Sequence, residues 1–191
     1  MDTMQTERTE TADRERLQEM LADCIRTGEV VLSSGKVTDF YFDGRLVTLD
    51  PEGSVLVGKL VLDELVTHGI GAAGGLTSGA DPITSAVGVL AWQRGVPMRL
   101  FFVRKETKGH GTCKRIEGPE IPGDGSVSIA LVDDVLTTGG SLLEARDAVV
   151  AEVGVAPTLA CVIVDREEGG VQRLASEGIE VVALYRRSDF L

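Results

Sequence analysis

Five short apolar runs recur along the chain: Ile70 to Leu76, Met98 to Arg104, Val127 to Val132, Leu159 to Val164 and Ile179 to Leu184. They are apolar nearly throughout, with no in-out alternation, so each must be buried on both faces, as in a helix-covered parallel sheet. Helical patterns fall between them, at about Pro82 to Arg94, Gly140 to Val153 and Val171 to Ser176. Strand and helix in alternation predict an α/β fold, a central parallel sheet flanked by helices. In such a sheet a ligand binds beyond the carboxyl ends of the strands.

Upstream, Leu17, Met20, Leu21 and Cys24 repeat at helical spacing, and Gly28 reads as a helix stop. Val37 to Val47 reads as a short β segment carrying Phe40, Tyr41 and Phe42 in succession, and Asp50-Pro51 as the N-cap and first-turn proline of a helix reaching His68. Residues 1–12 hold little to bury and are expected to form a disordered tail, leaving 13–191 as one domain. The stretch Lys105 to Gly125 has no periodicity and five glycines, and is expected to be a mobile loop, because structureless connections of that length are usually functional or disordered.

With 19 Lys and Arg against 30 Asp and Glu, the net charge of −11 argues against a general nucleic-acid binder. The first twenty residues contain no apolar stretch suited to a signal peptide, and no run approaches the roughly 20 residues that span a bilayer. A cytoplasmic protein with no membrane partner is expected. Three cysteines and two histidines favour neither a disulfide framework nor a zinc site, and the absence of Asn excludes N-glycosylation.

The densest chemistry lies in Ile129-Ala-Leu-Val-Asp133-Asp134-Val-Leu-Thr137-Thr138-Gly139-Gly140-Ser141. An apolar strand delivers two carboxylates to its carboxyl edge, and a turn of hydroxyls and glycines runs straight into a helix. Amides freed by Gly139 and Gly140, the hydroxyls of Thr137, Thr138 and Ser141, and the positive helix end suit a phosphate. Asp133 and Asp134, acceptors only, suit the vicinal hydroxyls of a ribose. By contrast, Gly69-Ile-Gly71-Ala-Ala-Gly74 follows a predicted helix where a dinucleotide fold needs a strand, and no P-loop occurs.

A second cluster is Phe102-Val-Arg104-Lys105-Glu-Thr-Lys108-Gly109-His110-Gly111. Three of the five lysines fall within ten residues here (Lys105, Lys108, Lys114), an unusual concentration in so acidic a chain. It suits neutralisation of a polyanion under a closing loop. Further candidates are Ser33-Ser34-Gly35-Lys36 leading into the three aromatics, the Gly75 to Pro82 turn with Thr77 and Ser78, and Asp165-Arg166 at another strand end. Adjacent strand residues face opposite sides, so one or two of Phe40, Tyr41 and Phe42 must be structural.

Taken in this order, the Asp133 to Ser141 segment resembles the phosphoribosyl-diphosphate (PRPP) motif of the type I phosphoribosyltransferases, and the lysine-rich string resembles the catalytic loop of the orotate phosphoribosyltransferases. The resemblance spans roughly Leu17 to Tyr185. It implies that fold with a small N-terminal hood segment, and transfer of the phosphoribosyl group from PRPP to orotate, giving orotidine 5′-monophosphate and pyrophosphate in pyrimidine synthesis. It also implies Mg²⁺, contacted indirectly by Asp133 and Asp134, and a homodimer sharing loop residues between subunits. Carried onto this sequence, Arg104, Lys105, Lys108 and His110 are the catalytic candidates. Asp133, Asp134, Thr137, Thr138, Gly139, Gly140, Ser141, Thr77 and Ser78 would bind PRPP; Arg166, Thr137, Tyr41, Phe42 and Lys36 would bind orotate. Ser33 and Ser78 stand where the best-known members carry lysine. A phosphoribosyltransferase for another base and a non-catalytic PRPP-sensing regulator are the alternatives; a regulator of transcription would be expected to carry a DNA-binding segment or a basic face.

Overall fold

The computed structural model describes residues 3–31, 37–106 and 114–191. The order along the chain is α1 (Thr3–Asp23), β1 (Ile25–Val31), β2 (Val37–Phe42), α2 (Arg45–Thr48), α3 (Pro51–Thr67), β3 (Ala72–Leu76), α4 (Ala80–Arg94), β4 (Arg99–Val103), β5 (Ile116–Glu117), β6 (Ile129–Leu136), α5 (Gly140–Val153), β7 (Leu159–Asp165), α6 (Gly170–Ser176) and β8 (Glu180–Arg186), closed by a 3-10 turn (Arg187–Phe190). Strands β3, β4, β6, β7 and β8 are parallel to their neighbours, in the order β5-β4-β3-β6-β7-β8, and β5 pairs antiparallel with β4 at one edge.

Helices cover both faces, as the doubly apolar strands require. On β6, Ala130 and Val132 face a core shared with α1, α3 and α4, while Ile129 and Leu131 face a second core built by α5 and α6. The antiparallel β1-β2 pair forms a separate small sheet, the expected hood, whose Phe40 and Phe42 join the first core. Asp50 caps α3 as expected, accepting 2.9 Å from the Gly53 amide with Pro51 at the first position.

Four expectations need correction. The backbone of α1 is helical from Thr3, where composition predicts a disordered tail to residue 12. Its last turns are fixed by fully buried Leu17 and Leu21, and extending an existing helix costs far less than starting one. Arg14 to Glu64 at 2.8 Å and Arg16 to Glu52 at 2.8 Å tie it to α3. Gly28 ends no helix: it lies inside β1 with φ +96°, at the register irregularity between Thr27 and Val30, where a bulge exploits its freedom. The Lys105 to Gly125 stretch is not wholly irregular, because Ile116–Glu117 forms β5 and pairs with Phe102 and Val103. Finally, β6 continues four residues beyond Val132, to Leu136.

Candidate active site

The site opens where β3 and β6 part. The two strands pair only over Ala72–Gly74 against Ile129–Leu131. Beyond that, β3 keeps to β4 as far as Leu76 and Val103, and β6 keeps to β7 as far as Leu136 and Asp165. Chain order also reverses here, with β4 on one side and β7 and β8 on the other, which makes it the switch point where open α/β sheets hold ligands. A cleft of about 370 Å³ occupies the gap, within the size range of small-molecule sites.

Asp133 and Asp134 line this cleft from within β6 rather than beyond its end, because the separation from β3 gives their side chains room. Asp133 is only 8% exposed, and its Oδ1 accepts 3.0 Å from the Asp134 amide. Burial, reinforced by the Asp134 charge, pushes the Asp133 carboxyl up to about 8. Burial also raises Asp134. Two backbone segments pack on the pair without side chains. A Cβ on Gly79 would stand 2.4 Å from Asp133 Oδ1, and one on Gly44 would stand 2.8 Å from Asp134 Oδ2. The cleft therefore presents two crowded carboxyl groups side by side, Asp133 almost fully buried.

Thr137 and Ser141 line one end of the cleft, at the amino end of α5. Gly139 starts that helix with φ +79°, and no side-chain hydrogen bond caps it, so its first amides remain available to an anion. A Cβ on Gly140 would meet nothing within 4 Å, which leaves this side of its backbone approachable; Thr138 is exposed and its carbonyl accepts 3.1 Å from Arg173. Thr77 and Ser78 also line the cleft, in the turn after β3, joined by a cis peptide bond.

The three aromatics divide as strand alternation requires. Phe40 is fully buried with Arg166 and Arg187 stacked over it at 5.8 and 5.3 Å, and Phe42, 7% exposed, belongs to the core although it borders the cleft. Tyr41 is the more accessible ring at the cleft wall. Arg166 also lines the cleft and pairs with Glu168 at 2.7 Å.

Of the cationic string, Lys105 lines the cleft and its charge reaches Asp133. Arg104 lies next door, bonded to Glu117 at 3.1 Å in a groove that it shares with Thr77 and Lys105. Lys108, His110 and Lys36 fall outside the described residues. Sequence reasoning did not single out Arg45, Asp43 or Gly44, which also line the cleft. Asp43-Gly44 after a strand carries only a turn signal, and Arg45 carries none.

No family model matches the chain. A curated orotate phosphoribosyltransferase of Rhodopirellula baltica is 40% identical over 177 residues, 90% of each chain, and one of Thermosynechococcus vestitus is 42% identical over 176 residues, 90% of this chain and 91% of that one. This chain belongs to the orotate phosphoribosyltransferase family. Solved structures agree with that membership. Orotate phosphoribosyltransferase of Mycobacterium tuberculosis superposes with TM-scores of 0.79 as its Fe(III) dicitrate complex and 0.76 as its PRPP complex, at 34% and 32% identity, covering 93% of this chain and 98% of that one. No helix among the described residues is long and apolar enough to cross a membrane.

Proposed function

We propose that this orotate phosphoribosyltransferase seats PRPP across the switch point, with the ribose on Asp133 and Asp134, the 5′-phosphate on the Thr137 to Ser141 turn and the diphosphate toward Thr77, Ser78 and Lys105. One observation carries this division: a buried carboxyl pair, residues of an uncapped helix end and the cationic Lys105 all line one cleft. A bond forms from a ring nitrogen of orotate to the anomeric carbon as the bond from that carbon to the diphosphate oxygen breaks, and the proton that this nitrogen carried passes to the departing diphosphate or to water. Charge gathers on the departing diphosphate, and Lys105, with Lys108, His110 and Arg104 from the same string, neutralises it. Orotate is already an anion, so the protein orients it: Arg166 grips its carboxylate with a planar fork, and Tyr41 packs on the ring.

Mg²⁺ fits this donor set. Asp133 and Asp134 present hard oxygens that would hold it indirectly, through water or the ribose hydroxyls of PRPP, as suits an ion that usually keeps several waters and binds substrate phosphates. Bound there, it offsets charge on the diphosphate. A homodimer is supported by exposed apolar surface on α4, where Val89 and Trp92 lie three residues apart on one face, Trp92 being 86% exposed. A multiply charged PRPP and an anionic orotate do not cross bilayers unaided, which supports a cytoplasmic location.

Arg166→Lys is expected to raise KM for orotate by about 10- to 10²-fold, the loss of a charged bidentate contact, while KM for PRPP stays within about twofold. Steady-state kinetics with each substrate varied in turn checks this. An unchanged KM for orotate would remove Arg166 from the base site, and turnover of a purine in place of orotate would overturn the base assignment.

A further inference from the structure

Arg45 lines the same cleft as the acidic pair and the Thr77 to Gly79 turn, yet the division of labour above gives it no task. It sits one residue after Gly44, whose backbone abuts Asp134 Oδ2, while Gly79 abuts Asp134 Oδ1. Arg45 is thus anchored beside the carboxylate pair, and its charge and that of Asp134 act on each other. Its guanidinium is held by Asp43 through two hydrogen bonds, Nε to Oδ1 at 2.9 Å and Nη2 to Oδ2 at 3.0 Å. Arg45 holds the Asp43 carboxyl below its usual range, and Asp43 in turn works against ionisation of Asp134.

That pairing is easily exchanged. The Arg45 side chain is 59% exposed, and exposed ion pairs contribute little. The same planar fork matches two phosphate oxygens, and a multiply charged diphosphate attracts it more strongly than one carboxylate does. The 5′-phosphate is served by amides and hydroxyls at α5, and the orotate carboxylate by Arg166. The diphosphate wall has Lys105 among the described residues lining the cleft. We propose that Arg45 is a binding residue for the diphosphate of PRPP, releasing Asp43 for phosphate oxygens when the cleft fills. Asp43 then acts as a competing partner that occupies the fork until the substrate displaces it.

This inference rests on the seating of PRPP proposed above, and the two can fail separately. Calorimetric titration with inorganic pyrophosphate and steady-state kinetics are measured on the parent, Arg45→Ala, Arg45→Lys, Asp43→Asn and Asp133→Asn. Arg45→Ala is expected to weaken pyrophosphate and raise KM for PRPP by about tenfold or more, with KM for orotate within about twofold. Arg45→Lys should recover part of the loss, and Asp43→Asn should tighten pyrophosphate by freeing the fork. Melting curves separate these effects from unfolding, since a merely structural ion pair would make Arg45→Ala and Asp43→Asn change in the same direction. Parental pyrophosphate affinity in Arg45→Ala, or parallel weakening in both variants, overturns the role of Arg45. Parental PRPP binding in Asp133→Asn overturns the seating of PRPP instead.

Discussion

Asp133→Asn is expected to cut kcat/KM for PRPP by about 10- to 10²-fold and, in the same protein, to raise stability in alkaline solution. The loss follows from removing a carboxyl that the ribose hydroxyls would favour in its ionised form by donating to it, since a hydrogen bond to a charged group contributes roughly 1.5 to 3 kcal/mol. The gain follows from proton linkage. Burial and the Asp134 charge lift the Asp133 carboxyl from its ordinary 3.8 to about 8. Between those values the folded chain holds a proton that the unfolded chain has released, so this group's contribution to stability falls as pH rises through the window. Asn carries no such proton. The variant should therefore match or trail the parent at pH 5 and exceed it at pH 8.5, by on the order of a few kcal/mol. Urea midpoints at the two pH values check the sign. A parent whose advantage over the variant grows with pH would show that Asp133 is stabilised as an anion without ligand.

Gly79→Ala should separate geometry from fold. Gly79 has φ −61° and ψ −42°, a conformation alanine adopts without strain, so helix α4 should form as before. The added methyl, however, would stand 2.4 Å from Asp133 Oδ1 and 2.9 Å from Asp134 Oδ1, and the carboxylates must move. Misplacement near 1 Å at a reacting site costs about 10²-fold. We expect kcat/KM to fall by that order while the far-ultraviolet spectrum and melting cooperativity stay parental. Parental kinetics would mean that the pair tolerates displacement, contrary to the role given to it. Gly44→Ala, with its methyl 2.8 Å from Asp134 Oδ2, tests the other side of the same clamp.

The features legible in the sequence were those fixed by local chemistry. The Asp50-Pro51 cap, the helices at 140–153 and 171–176, and the chain of acids, hydroxyls and glycines from Asp133 to Ser141 each carry their cause within a few residues. What stayed hidden depends on partners distant in the chain. Two adjacent Asp residues break an apolar run, so β6 reads as ending at Val132; only its continued pairing with β7 shows that it persists to Leu136. Gly28 carries the same residue signal in a helix stop as in a bulge, and pairing of β1 with β2 decides between them. The short β5 has no periodicity and exists through β4. Arg45 belongs to the cleft because Gly44 packs on Asp134, a contact across 90 residues that no local pattern announces.

The central claim is most directly tested by a crystal structure of the protein grown with PRPP and Mg²⁺. The expected map shows the ribose hydroxyls within hydrogen-bond reach of Asp133 and Asp134 and the 5′-phosphate against the amides of the Thr137 to Ser141 turn. PRPP bound elsewhere, or bound in this cleft with the two carboxylates untouched, would contradict the account.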